Sequence, residues 1–217
     1  MGRARPESRI RRRSSRAGVS LSQEVAGLLA AYYELLYRWN EKINLTSLVD
    51  SDEAVDRLIV EPLVAARHLK LDIGTLVDIG SGGGSPAFPL KIVNPSATLV
   101  MVESKTRKAA FLREVGRVLG MTGVEVETCR YEQLLSRAEM HERAGIVTLR
   151  AVRAEAKQLG SLQAFLRPGG AIGWFRGPAG KEPSDVVVPP LEWEATYPLL
   201  ESLRSRLIVI RKRRVGP

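Results

Sequence analysis

The sequence predicts an α/β fold: a mostly parallel, Rossmann-like sheet of about seven strands, its last strand antiparallel, behind an N-terminal helical extension. Three observations carry this reading. Short aliphatic runs alternate with helical stretches after Gly74. One such run ends in Asp78-Ile79-Gly80-Ser81-Gly82-Gly83-Gly84, an acid followed by a glycine-rich turn. The last two apolar runs follow each other without a convincing helix between them, so they pair antiparallel.

Residues 1–18 lack hydrophobic periodicity and read as a disordered basic tail. From Ser20 the pattern changes, with Leu21, Val25, Leu28, Leu29, Tyr32, Leu36 and Trp39 at helical spacing. Ser20 and Gln23 suggest its capping box. Residues 40–46 read as a loop. Asp50 with Glu53 suggests a second cap, before Val55, Leu58, Ile59 and Leu63, and Pro62 kinks or breaks that helix. The helical extension thus occupies 19–70 and the α/β core 74–217. Within the core, strands are expected at 76–79, 98–102, 124–127, 146–149, 171–175, 191–197 and 206–210. Helices are expected at 89–93, 105–119, 131–138 and 155–165.

The 217 residues, 44% hydrophobic and 26% charged, suit one globular domain. No apolar run is long enough to cross a bilayer, and no signal-peptide pattern opens the chain. A lone Cys129 excludes an internal disulfide and a cysteine-ligated zinc site; with only His68 and His141, a metal centre is not expected. The expectation is a cytoplasmic protein, monomeric, with no membrane partner. The net charge of +9 is concentrated at the ends: residues 1–18 carry +6, residues 204–217 another +6, and the body between them −3. Basic arms of this kind suit a polyanion such as nucleic acid; a solvated tail or a transit peptide is the alternative.

The glycine turn fits close backbone approach to a nucleoside-containing ligand. Glu103, at the end of the next apolar run, stands about twenty residues on, the spacing that sets a carboxylate against a ribose. Asp78 would orient the turn or bind an ammonium. The glycines at 80, 82, 83 and 84 fail the G-x-G-x-x-G pattern, because position 85 is serine. Pro86 and Pro89 remove amides that a pyrophosphate would need. A ribose-bearing cofactor without phosphates, S-adenosylmethionine, fits better; a tight turn that binds nothing is the plain alternative. A parallel sheet ending antiparallel is also the pattern of class I methyltransferases.

The stretch VDIGSGGGSPAFPLKI (77–92) resembles the RsmG (GidB) family, methyltransferases acting on guanine N7 of bacterial small-subunit ribosomal RNA. The resemblance extends to WNEKINLTS (39–47), ESKTRKAAFLREV (103–115), Arg130-Tyr131-Glu132 and Leu149-Arg150-Ala151-Val152, in the same order over roughly residues 20–177. It implies cofactor contacts at Gly80, Ser85 and the pair Tyr131 and Glu132, and places Arg150 near the methyl-transfer site. Gly82 and Gly84 complete the cofactor turn. The chain departs from the family at Leu58, Glu61 and Pro62, where His, Asp and Ser are usual. It also departs at Ser85, Ala87 and Arg176. These changes bear on substrate positioning more than on cofactor binding.

Guanine N7 carries an in-plane lone pair, so the implied reaction needs no general base and no nucleophilic cysteine. RNA contacts are expected from Lys105, Arg107, Lys108, Arg153 and Arg176 near the carboxyl edge of the sheet. Two other readings stay open: a small-molecule methyltransferase with the same cofactor, and a non-catalytic ribosome-associated RNA-binding protein.

Overall fold

In the computed structural model, which describes residues 6–69, 74–150, 156–178 and 187–214, seven strands form one sheet. They are β1 (Thr75–Ile79), β2 (Thr98–Val102), β3 (Val124–Glu127), β4 (Ala144–Arg150), β5 (Leu166–Arg176), β6 (Leu191–Pro198) and β7 (Arg206–Lys212), in the order β3-β2-β1-β4-β5-β7-β6. The first five pair in parallel, and β7 runs antiparallel between β5 and β6. The connections are α5 (Ala87–Val93), α6 (Thr106–Val118), α7 (Tyr131–Leu135) and α8 (Ala156–Leu162). Side chains alternate across the sheet, so Leu76 joins the core on one face while Val77 and Ile79 join the core on the other. The crossovers diverge between β1 and β4, and a cleft opens there at the carboxyl ends of the strands.

The N-terminal residues differ from expectation. Within the segment read as disordered, Pro6–Arg16 form helix α1 with Ile10 and Ser14 buried. Arg9 pairs with Asp50, and Arg13 grips Asp56, its Nε donating to Oδ1 at 2.8 Å. The charge run folds because its countercharges arrive some forty residues later, beyond the reach of local periodicity.

Helix α2 (Gln23–Asn40) is capped by Ser22 rather than Ser20; the Ser22 hydroxyl accepts from the Val25 amide at 3.2 Å. Its buried stripe carries Tyr32 and Leu36 against α5 and α6, with Tyr32 on Phe88 and Trp39 on Phe111. Asn40 then organises the following loop, its Oδ1 accepting from the amides of Leu45 and Thr46 at 2.8 and 2.9 Å. Helix α3 (Asp52–Val55) is capped by Ser51, not Asp50, which instead receives Arg9 and the Tyr33 hydroxyl. It passes through a π-helical turn, Asp56–Val60, into α4 (Glu61–Ala65), so Pro62 widens the helix without ending it.

Burial of Ile10 makes the docking of α1 measurable. Ile10→Ala is expected to lower the free energy of unfolding by roughly 2–5 kcal/mol in urea titrations, as for other buried aliphatic truncations. A free tail would leave the midpoint unchanged.

Candidate active site

The glycine turn is fastened from three sides. The amides of Gly80 and Ser81 donate to the Val102 carbonyl at 2.9 and 3.1 Å, tying the turn to the end of β2. Glu103 accepts from the Gly82 amide at 2.9 Å and from the Lys105 amide at 2.7 Å. From α2, the Tyr32 hydroxyl donates to the Gly83 carbonyl at 2.8 Å. Gly84 needs its missing side chain: its φ is +86°, and a Cβ there would stand 2.4 Å from the Phe88 ring.

Two cavities flank this turn, and Gly80 borders both. The smaller, about 230 Å³, is lined by Ile79, Glu103, Cys129, Arg130, Tyr131 and Gln158 among others. The larger, about 680 Å³, opens between the sheet edge and the N-terminal helices; Leu45, Arg57, Glu61, Ser85, Arg150 and Phe175 help line it. Strand register explains its floor. Asp78 sits opposite Thr148 and Arg150 opposite Phe175, so all four side chains leave the same face of the sheet.

Arg150 is the centre of the larger cleft. Its Nη1 donates to the Arg57 carbonyl at 2.6 Å and to Ser85 Oγ at 3.0 Å, and its guanidinium carbon lies 4.7 Å from the centre of the Phe175 ring. Its Nη2 is 2.7 Å from Glu61 Oε2, close enough for an ion pair but poorly aligned for a hydrogen bond. Arg150 Nε and Nη2 and Glu61 Oε2 therefore lack a hydrogen-bond partner among the described residues. Burial lowers the Arg150 pKa, and Glu61 opposes that shift. Arg57 also pairs with Glu61, at 3.3 Å.

Asp78 is buried below the turn. Thr148 donates to its Oδ1 at 2.6 Å, while Oδ2 has no hydrogen-bond partner among the described residues. Burial pushes its pKa up, against the opposing pull of the Thr148 hydroxyl and the Arg150 charge.

The residues singled out from sequence separate into groups. Gly80, Gly82, Ser85, Arg150, Lys108 and Arg176 line the larger cleft; Gly80, Glu103 and Tyr131 line the smaller. Gly84 and Asp78 shape the turn from beneath. Glu132 and Arg107 are exposed and line neither cavity, because neighbouring helical residues point about 100° apart, and Lys105, extended just before α6, is exposed outside both as well. Arg153 lies outside the described residues. The sequence reading missed Arg57, Thr148 and Phe175, and did not pair Glu61 with Arg150. The polar Thr148 and Arg150 at alternate positions of an otherwise apolar strand were the available signal.

A family model described as rRNA small subunit methyltransferase G (GidB) matches residues 26–185. The chain is 30% identical over 216 residues to the Ribosomal RNA small subunit methyltransferase G of Syntrophotalea carbinolica, covering 95% of this chain and 98% of that one. It is 36% identical over 195 residues to the protein of the same name from Xylella fastidiosa, covering 85% and 86%. Among solved structures it resembles P. horikoshii TYW2 in complex with MeSAdo, with a TM-score of 0.56 at 13% identity, covering 76% of this chain and 64% of that one. It also resembles the putative methyltransferase yhhF from Escherichia coli, with a TM-score of 0.52 at 12% identity and coverage of 84% and 86%. These structures show the same fold.

The raised Asp78 pKa has a sign that can be read. A carboxyl harder to ionise when folded costs stability once pH climbs past its unfolded value, about 3.9. Asp78→Asn keeps an acceptor for Thr148 and removes that cost. It is expected to raise the melting temperature at pH 7.5, with the gain shrinking toward pH 4. An equal gain at both values would show that ionisation plays no part.

Proposed function

The chain belongs to the rRNA small subunit methyltransferase G family, and from that premise we propose that it transfers a methyl group from S-adenosylmethionine to guanine N7 in small-subunit ribosomal RNA. The observation carrying the reading is the pair of cavities meeting at Gly80: the smaller suits an adenosyl group and the larger a target base.

The residues present fit that cofactor. Each Glu103 oxygen accepts one backbone amide and keeps a lone pair, so the carboxylate can still receive ribose hydroxyls. Tyr131 offers a ring to the same cavity. The turn has little to offer a phosphate: the Phe88 amide is spent on the Gly84 carbonyl, and Pro86 and Pro89 have none. Asp78 Oδ2, without a hydrogen-bond partner among the described residues, leaves an acceptor beneath the turn for a methionyl ammonium. When bound, S-adenosylmethionine supplies a methyl group activated by its sulfonium.

The chain's own work is positioning. N7 needs no deprotonation, so Arg150, Ser85 and Phe175 act by holding the base edge-on to the turn. Such orientation is worth about 7–11 kcal/mol of barrier in well-placed reactions. The Arg150 guanidinium is set in place by the Arg57 carbonyl, Ser85 and Glu61 and holds a fixed positive charge at the wall of the cleft. Lys108 and Arg176 place positive charge at the mouth, where phosphates would pass.

Labelled S-adenosylmethionine incubated with small subunits lacking the modification tests the reaction; label in RNA, released as 7-methylguanine, is expected. RNA left unlabelled by a protein that binds the cofactor would defeat the reading. For the ribose role, Glu103→Ala is expected to weaken cofactor binding roughly 10- to 100-fold by calorimetry, the scale of a charged hydrogen bond. Circular dichroism should stay native, and unchanged affinity would remove Glu103 from the site.

A further inference from the structure

Helix α1 has two unlike faces. Inward, Ile10 and Ser14 are buried, and Arg9 and Arg13 are neutralised by Asp50 and Asp56. Outward, Ser8, Arg11, Arg12, Ser15 and Arg16 are exposed. Arg11 and Arg16 make no ion pair among the described residues, and Arg12 has only a loose one, 3.6 Å from Asp52 with both side chains nearly half exposed. A pair that exposed is worth little and is readily exchanged for another anion.

The place of this face matters as much as its charge. In the sequence, the segment to which α1 is fastened, Asp50–Asp56, joins two stretches that line the larger cleft, Thr46, Ser47 and Leu48 before it and Arg57, Leu58 and Glu61 after it. The body of the chain between the two basic ends carries a net −3, so the excess positive charge that would gather a polyanion is concentrated at the ends. We propose that the outer face of α1 is a docking surface for the phosphate backbone of the ribosomal RNA, beside the mouth of the cleft. The proposal rests on the function argued above. Because Arg9 and Arg13 lock the helix to the segment joined to the cleft wall, the three outer arginines are presented in a fixed position, and the exposed Ser8 and Ser15 hydroxyls can donate to the same phosphates.

The test is full-length R11Q/R12Q/R16Q against wild type, with filter binding to small subunits lacking the modification at several salt concentrations. The variant is expected to bind about tenfold or more weakly, with a log–log salt slope shallower by about 2, near 0.7 for each phosphate no longer neutralised. KM for subunits should rise, while kcat at saturating subunits and S-adenosylmethionine affinity hold. R117Q/R167Q/R214Q removes the same charge elsewhere and should change the slope far less. Unchanged affinity and slope in R11Q/R12Q/R16Q would overturn the proposal, as would an equal loss in the control, which marks net charge alone. A fall in kcat without loss of affinity would also overturn it, since that marks a brace for the cleft. A wild type that binds through α1 but never methylates would sink the catalytic reading and leave the surface standing. Normal methylation by an R11Q/R12Q/R16Q variant that binds as well as wild type would sink the surface alone.

Discussion

The floor of the cleft depends on a hydrogen that is not there. Pro62 has no N–H, so it cannot donate to the Leu58 carbonyl in α-helical register or to the Arg57 carbonyl in π register. Both acceptors are taken by side chains instead: Ser85 Oγ donates to Leu58 at 2.8 Å and Arg150 Nη1 to Arg57 at 2.6 Å. Leaving either carbonyl buried and unpaired would cost about 1–3 kcal/mol, so one proline in a helix selects where two distant side chains come to rest. The π-helical turn is part of the same arrangement, since it sends the Glu61 amide to Asp56 rather than Arg57.

This joins several distant residues into one unit. Glu61, Pro62 and Ser85 are unconnected in the sequence, spread over 25 positions. In the structure they meet around Arg150: Pro62 frees the acceptors, Ser85 bridges Arg150 and Leu58, and Glu61 supplies the countercharge. A buried guanidinium cannot stand without a partner, and removing one member of such a pair is far more damaging than exchanging both. These contacts make Glu61, Pro62 and Ser85 one unit around Arg150, so none of them acts alone on the cleft.

What the sequence made legible follows the range of the interactions involved. The strands were readable because aliphatic runs are local; β2 and β3 fall where expected, and β5 was read short because Pro168, Gly169 and Gly170 interrupt its apolar run. The turn and Glu103 were readable because their spacing along the chain is fixed by one crossover. Helix α1 was not, since an arginine run is foldable only once Asp50 and Asp56 are brought to it. Thr148 was not, because its partnership with Asp78 exists only in the register of β1 on β4. Tyr131 and Lys108 could be told from Glu132 and Arg107 only when the rotation of each helix against the sheet was known.

Asp56 shows how these long-range contacts converge. It opens the π-helical turn, and its carboxylate is buried. Arg13 holds it from α1, and the Ser202 hydroxyl, from the connection between β6 and β7, donates to it at 3.1 Å. The next two residues, Arg57 and Leu58, present the carbonyls that seat Arg150 and Ser85. The N-terminal helix and the antiparallel end of the sheet, each remote from the glycine turn in sequence, thus fix the same short segment through one carboxylate. A site whose chemistry asks only for accurate placement of a base gains most from such a frame, because its rate depends on how little that segment can move.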